Sequence, residues 1–113
     1  MFIEIRTLLQ IKTISMENPE GFTLWVPTLE LIKTGIAVGH KATQNQFGIG
    51  GLETVVKHAL YNYGYIGGWK NQKGEMQYDS VRMFTDLRAA VKWGRKQGQY
   101  SIFDLDNGWE IVL

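Results

Sequence analysis

The residues of this chain that could do chemistry gather most densely in one stretch, His40, Lys41, Thr43, Asn45 and Gln46, followed by Phe47-Gly48-Ile49-Gly50-Gly51. A polar segment that leads through glycines into a helix leaves free backbone N–H groups and the positive end of the helix dipole facing an anion, with Lys41 or His40 as a supporting cation. That chemistry suits a phosphate, and it predicts a small-ligand or nucleotide site over residues 40–51. The glycines do not follow the dinucleotide spacing, however, and no Gly-Lys-Ser/Thr run is present. The plainer reading, a glycine-rich helix entry behind a solvated loop, therefore carries more weight.

Other reactive side chains are scattered. His40 and His58 are the two histidines, His58 falls one step off an apolar helical stripe, and no acidic residue or second histidine stands at metal-ligand spacing from it. No metal, cofactor or catalytic residue is assigned. Asp79, Asp104 and Asp106 would converge if two hairpins were neighbours, although hairpin aspartates more commonly form turns. Asp79 lies in an otherwise apolar strand with Arg82 three residues on, and with His40 these make the trio for a small enzyme acting on RNA or a nucleotide. Arg88, Lys92, Arg95 and Lys96 stripe one helix, with Trp93 among them and Trp69, Lys70 and Lys73 in a hairpin, a combination that could grip a nucleic-acid backbone. A solvated outer helix face accounts for the same charges. Tyr61, Tyr63, Tyr65, Trp69 and Tyr78 gather near one helix end, and those not buried would mark a binding surface.

The elements that must position these groups are legible in part. With 113 residues, one domain with one core is expected. The net charge of +1 gives no general drive towards nucleic acid or an anionic membrane, and the absence of cysteine removes thiol chemistry and any need for an oxidising compartment. A cytoplasmic setting is the default. Residues 1–16 alternate at Ile3 and Ile5 as a strand would, while Ile5, Leu8, Leu9 and Lys12 would suit a helix face. A strand or irregular arm, dispensable to the fold, is expected there, with a single domain over residues 17–113 that opens at the turn Asn18-Pro19-Glu20-Gly21.

Strands are expected at Phe22–Val26 and Gly35–Ala42. Leu52, Val55, Val56, Ala59, Leu60 and Tyr63 then form one apolar helical stripe, which Gly64 ends. Strands follow at Tyr65–Lys70 and Glu75–Phe84. A second helix is expected to start at Thr85 as N-cap and to bury Leu87, Ala90, Val91 and Gly94, and strands Tyr100–Asp106 and Trp109–Leu113 meet at Asn107-Gly108. Leu52, Val55, Val56, Lys57 and Tyr65 recur 35 residues later as Leu87, Ala90, Val91, Lys92 and Tyr100, which reads as a duplicated helix-plus-hairpin unit. The expected fold is α+β, of order ββαββαββ, with two helices on one face of a sheet of five or six strands.

Read as strings, Glu17-Asn18-Pro19-Glu20-Gly21-Phe22-Thr23, Thr43-Gln44-Asn45-Gln46-Phe47-Gly48, Gly67-Gly68-Trp69, Tyr78-Asp79-Ser80-Val81 and Ile102-Phe103-Asp104-Leu105 resemble small single-domain proteins of bacterial genomes, their phages and mobile elements. The resemblance spans residues 16–113 and brings no established activity with it. It implies a bacterial or phage context. The leading expectation is a non-enzymatic binding protein that engages a host protein, such as a defence factor, with self-association as a further prospect and neither nucleic acid nor membrane as partner. Its expected binding residues are His40, Lys41, Thr43, Asn45, Gln46, Trp69, Tyr78, Asp79 and Arg82.

Overall fold

The computed structural model describes residues 1–113 as an α+β domain with one open antiparallel sheet. In chain order the elements are α1 (Ile5–Glu17), β1 (Phe22–Trp25), β2 (Glu30–Leu31), β3 (Ile36–Gly39), a 3-10 turn (Lys41–Thr43), β4 (Gln46–Phe47), α2 (Gly48–Tyr61), β5 (Tyr65–Lys70), β6 (Met76–Phe84), α3 (Leu87–Lys96), β7 (Ser101–Asp104) and β8 (Trp109–Val112). The strands run in the order β2-β1-β5-β6-β3-β7-β8, and β4 also pairs with β6. The eight strands exceed the expected five or six because β2 and β4 are two-residue pairings, too short to leave a period-two signal.

Register decides which side chains meet the helices. Leu24 lies opposite Ile66, Ile66 opposite Ser80, Gly68 opposite Tyr78, and Val38 opposite Arg82. Because side chains alternate, these residues share one face. Leu24, Ile66, Phe22 and Tyr78 pack there with Leu52, Val55, Val56 and Ala59 of α2 and with Leu8 and Ile11 of α1. Farther along the same face, Ile36, Val38 and Ile102 pack with Ala90 of α3. The other face carries Thr23, Trp25, Tyr65, Gly67, Asp79, Val81 and Ala37.

The opening segment corrects the expected strand or irregular arm. Residues 5–17 are helical, Ile11 is fully buried, and the Ser15 hydroxyl shares a 3.1 Å hydrogen bond with the Tyr78 hydroxyl. The stripe Leu8, Ile11, Ser15 has helical spacing, but its third member is polar, so the apolar pattern breaks off after one turn.

Around α2 and α3 the expected elements form, each helix followed by an antiparallel hairpin, β5-β6 after α2 and β7-β8 after α3. The paired leucines are not equivalent, however: Leu52 is fully buried, whereas Leu87 is 49% exposed. α3 begins at Leu87, its first three residues are exposed, and its buried positions are Ala90 and Gly94. Its N-cap is Asp86 rather than Thr85, since the Asp86 carboxylate accepts from the Ala89 N–H at 3.0 Å. The last hairpin closes through Leu105–Gly108 rather than through Asn107-Gly108 alone. There Asp104 accepts hydrogen bonds from the N–H and the side-chain amide of Asn107, at 3.3 and 2.8 Å, which hold its carboxyl below the usual range. No helix is long and apolar enough to cross a membrane.

Candidate functional site

Five separate elements meet above β6 on the helical face. Strand β3 buries Ile36 and Val38 on that face, and the same alternation delivers His40 to it one residue past the strand's end, where its N–H donates to the Ser80 carbonyl at 2.9 Å. Helix α2 supplies His58 from its last turn, and the left-handed turn that follows supplies Tyr63, at φ 74° beside Gly64 at φ 87°. Strand β6 presents Arg82 and Phe84, and α3 presents Trp93.

The rings make a continuous cluster. His40 lies 4.7 Å from His58, 4.8 Å from Trp93 and 5.9 Å from Tyr63, centre to centre, and Phe84 lies 5.8 Å from Trp93. Within it the Arg82 guanidinium carbon stands 4.6 Å from the Tyr63 and Phe84 ring centres and 5.4 Å from that of Trp93. Such contacts favour a cation over ring faces. No carboxylate answers that charge, because the ion pair in the molecule is Lys57 with Glu53 at 3.9 Å, on the surface of α2.

Burial sets the charge state of the histidines. His40 is 7% exposed and its imidazole titrates at about 4, held down first by desolvation and then by the neighbouring His58 and the Arg82 charge. Burial lowers His58 as well. Both rings are therefore neutral at neutral pH. His40 Nε2, His58 Nδ1 and the Ser80 hydroxyl are buried and have no hydrogen-bond partner within the protein. Orphaned buried polar atoms call for an explanation, and two of these three belong to the paired histidine rings of the cluster.

The sequence-derived residues divide sharply. His40 and Arg82 come together. Asp79 does not join them: it is odd-numbered on β6, points to the opposite face, and lies across from Gly67. Its carboxylate oxygens approach the positions a Cβ would occupy on Gly39 and Gly67 to 2.6 and 2.9 Å, so those two glycines make the room it occupies. Desolvation raises its pKa to about 7. Tyr78 is 5% exposed in the core beneath α2. Thr43 is buried and its hydroxyl accepts the Ser80 N–H at 2.9 Å, which fills the break between β3 and β4 along the β6 edge. Lys41 is exposed, with its N–H bonded to Gln97 Oε1 at 3.0 Å; Asn45 takes a left-handed conformation at φ 63°, and Gln46 pairs with Tyr78 in β4. Trp69 is exposed on the β5-β6 hairpin. The loop 40–51 thus sends its members in different directions and does not converge on a point.

Asp104 and Asp106 do not meet Asp79 either. β3 separates the two hairpins, and Asp106 accepts the Gly35 N–H at 3.1 Å. No three acidic or histidine side chains are grouped to hold a metal ion. Trp93 turns inward to the cluster rather than outward among Arg88, Lys92, Arg95 and Lys96, so the basic stripe of α3 lacks its stacking partner.

Comparison with protein-family models, with curated proteins and with solved structures finds no match to this chain. The cluster must be read from its own geometry. Its less obvious members, Phe84 and Trp93, come from elements far apart in sequence, yet one signal pointed to it: Tyr78, Ser80, Arg82 and Phe84 alternate on β6, which places a full positive charge on the face the helices cover.

Proposed function

We propose that this chain is a non-enzymatic binding protein that engages a partner protein, through the surface where Tyr63, Phe84 and Trp93 hold Arg82. The observation that carries this reading is a guanidinium without a carboxylate partner, placed among three aromatic rings, one of which, Tyr63, is 52% exposed. Tyrosine, tryptophan and arginine are the residues that dominate binding energy at protein interfaces, where they act by entering desolvated pockets. The scaffold suits that role, because Arg82 and Phe84 sit on β6, His58 and Trp93 on two packed helices, and Tyr63 in the tight turn that joins α2 to β5.

The same reading places the protein in a bacterial or phage cytoplasm, as a factor that engages a host protein, and takes its two helix-plus-hairpin segments as copies of one unit. Full-length chain immobilised and exposed to a bacterial lysate is expected to retain a specific protein. Tyr63→Ala should lose it, whereas Tyr61→Ala, which removes a still more exposed tyrosine outside the cluster, should keep it. Retention by both variants would refute the assignment of the surface.

A further inference from the structure

We propose that the Arg82 cluster is a carboxylate-binding site: the guanidinium edge takes the two oxygens of one carboxylate group, and the surrounding rings take the apolar body that carries it. This rests on reading the cluster as a binding surface, and it names the chemistry recognised there.

The argument begins with the shape of the cation. A guanidinium is planar; its faces attract aromatic rings, and its five N–H groups point outward in the plane. Tyr63, Phe84 and Trp93 stand within 5.4 Å of its carbon. Aromatic rings offer the N–H edge no oxygen to bond. Within the protein that edge meets no acceptor, since neither a hydrogen bond nor an ion pair is made by the Arg82 side chain. A guanidinium set among rings with its N–H donors unspent is prepared for a bidentate oxyanion.

Charge selects among oxyanions. Arg82 is the one permanent charge in the cluster, and His40 and His58 are neutral at neutral pH. One positive charge matches one carboxylate. A phosphate monoester carries close to two negative charges at neutral pH, and in so apolar a setting the second would be left without a counter-charge. The planar carboxylate also matches the planar fork, while a body of carbon and hydrogen matches the rings. A second observation points to a ligand: His40 is 93% buried by its 7% exposure, and its Nε2 has no partner within the protein although its ring lies 4.8 Å from Trp93 and 4.7 Å from His58. The neutral imidazole can donate one hydrogen bond to an acceptor brought into the cluster.

The carboxylate could be a free small acid or could belong to an acidic side chain or chain end of the partner, and the test separates these sources. Full-length protein is titrated with acetate, benzoate, inorganic phosphate and a short acidic peptide with blocked ends, and the His40, His58 and Trp93 ring signals are followed by NMR. Saturable shifts with the carboxylates, stronger for benzoate than for acetate and absent for phosphate, are expected. Tighter binding of the peptide than of acetate would assign the site to a partner's side chain, and the reverse would assign it to a free acid; either supports the carboxylate site.

Arg82→Lys keeps the charge but not the fork and should weaken binding by about tenfold. Arg82→Gln should abolish it. In the wild-type chain, bound carboxylate offsets the Arg82 field and must raise the His40 pKa from about 4, a readout that needs no variant to fold. No saturable shift with any carboxylate, saturation by phosphate alone, or undiminished binding in Arg82→Lys would each overturn the proposal. Failure here alongside a partner lost by Tyr63→Ala would overturn the carboxylate assignment and leave the binding surface standing. Carboxylate binding without any retained partner would do the opposite.

Discussion

Asp79→Asn should stabilise the protein at alkaline pH, and the reason lies in the strand that positions the cluster. Asp79 and Arg82 are three residues apart on β6 but face opposite ways, Arg82 into an aromatic cluster and Asp79 onto two glycines, Gly39 and Gly67. Desolvation there lifts the carboxyl from 3.8 to about 7. The folded chain therefore binds more protons than the unfolded chain between those two values, and stability falls as pH rises through that window. Fully expressed, the difference amounts to about 4 kcal/mol at pH 8. Solvent reaching the partly exposed side chain screens part of it, which leaves roughly 1–3 kcal/mol.

Asparagine has nearly the same shape and no charge. The variant should match wild type near pH 4 and exceed it by that amount near pH 8. A second slope then becomes visible. His40 is depressed to about 4, so between about 4 and 6.5 the unfolded chain binds its proton more readily, and stability rises with pH. The two slopes oppose each other in wild type, and Asp79→Asn unmasks the rising one. Urea unfolding of both proteins at several pH values from about 4 to 8 measures this directly. Equal stabilities at pH 8, or a less stable variant there, would refute the desolvation of Asp79.

Three further outcomes follow from packing. A chain beginning at Met16 lacks the buried Leu8 and Ile11, and should lose stability or cooperative melting; Ile11→Ala alone should cost about 2–5 kcal/mol in chemical denaturation. Leu52→Ala should cost a similar 2–5 kcal/mol, whereas Leu87→Ala, half exposed at the start of α3, should cost under about 1 kcal/mol, and equal costs would restore the equivalence of the two leucines. Asp86→Ala removes the side-chain acceptor for the Ala89 N–H and should lower stability by about 1 kcal/mol, measured by thermal melting, while Thr85→Ala should leave it nearly unchanged.

What could be read from residue order was local. Leu52, Val55, Val56 and Ala59 of the expected α2 stripe are buried and the β5-β6 hairpin forms, whereas Leu60 is exposed and Tyr63 lies past the helix end in the left-handed turn with Gly64. Helix α1 was obscured because its buried face includes Ser15, whose polarity is satisfied by Tyr78, 63 residues away. The candidate site was the least legible part. Each of its elements contributes only one or two side chains, and no spacing in the chain announces that His40, His58, Arg82 and Trp93 share one volume. The loop 40–51 attracted attention because its chemistry is contiguous, yet contiguity sent Thr43 inward and Lys41 outward. Asp79 and Arg82, close in sequence, were separated by a single property of strands, the alternation of faces.

The central claim is that the partner binds at the Arg82 cluster, and four tryptophans make that measurable in one spectrum. Trp93 reports the cluster, Trp25 and Trp69 report the opposite face of the sheet, and Trp109 reports the final hairpin. The indole N–H signals of the full-length chain, recorded by NMR before and after addition of the retained protein, should show Trp93 shifting while Trp25 and Trp69 stay in place. Shifts at Trp25 and Trp69 with Trp93 unmoved would put the partner on the other face and contradict the account.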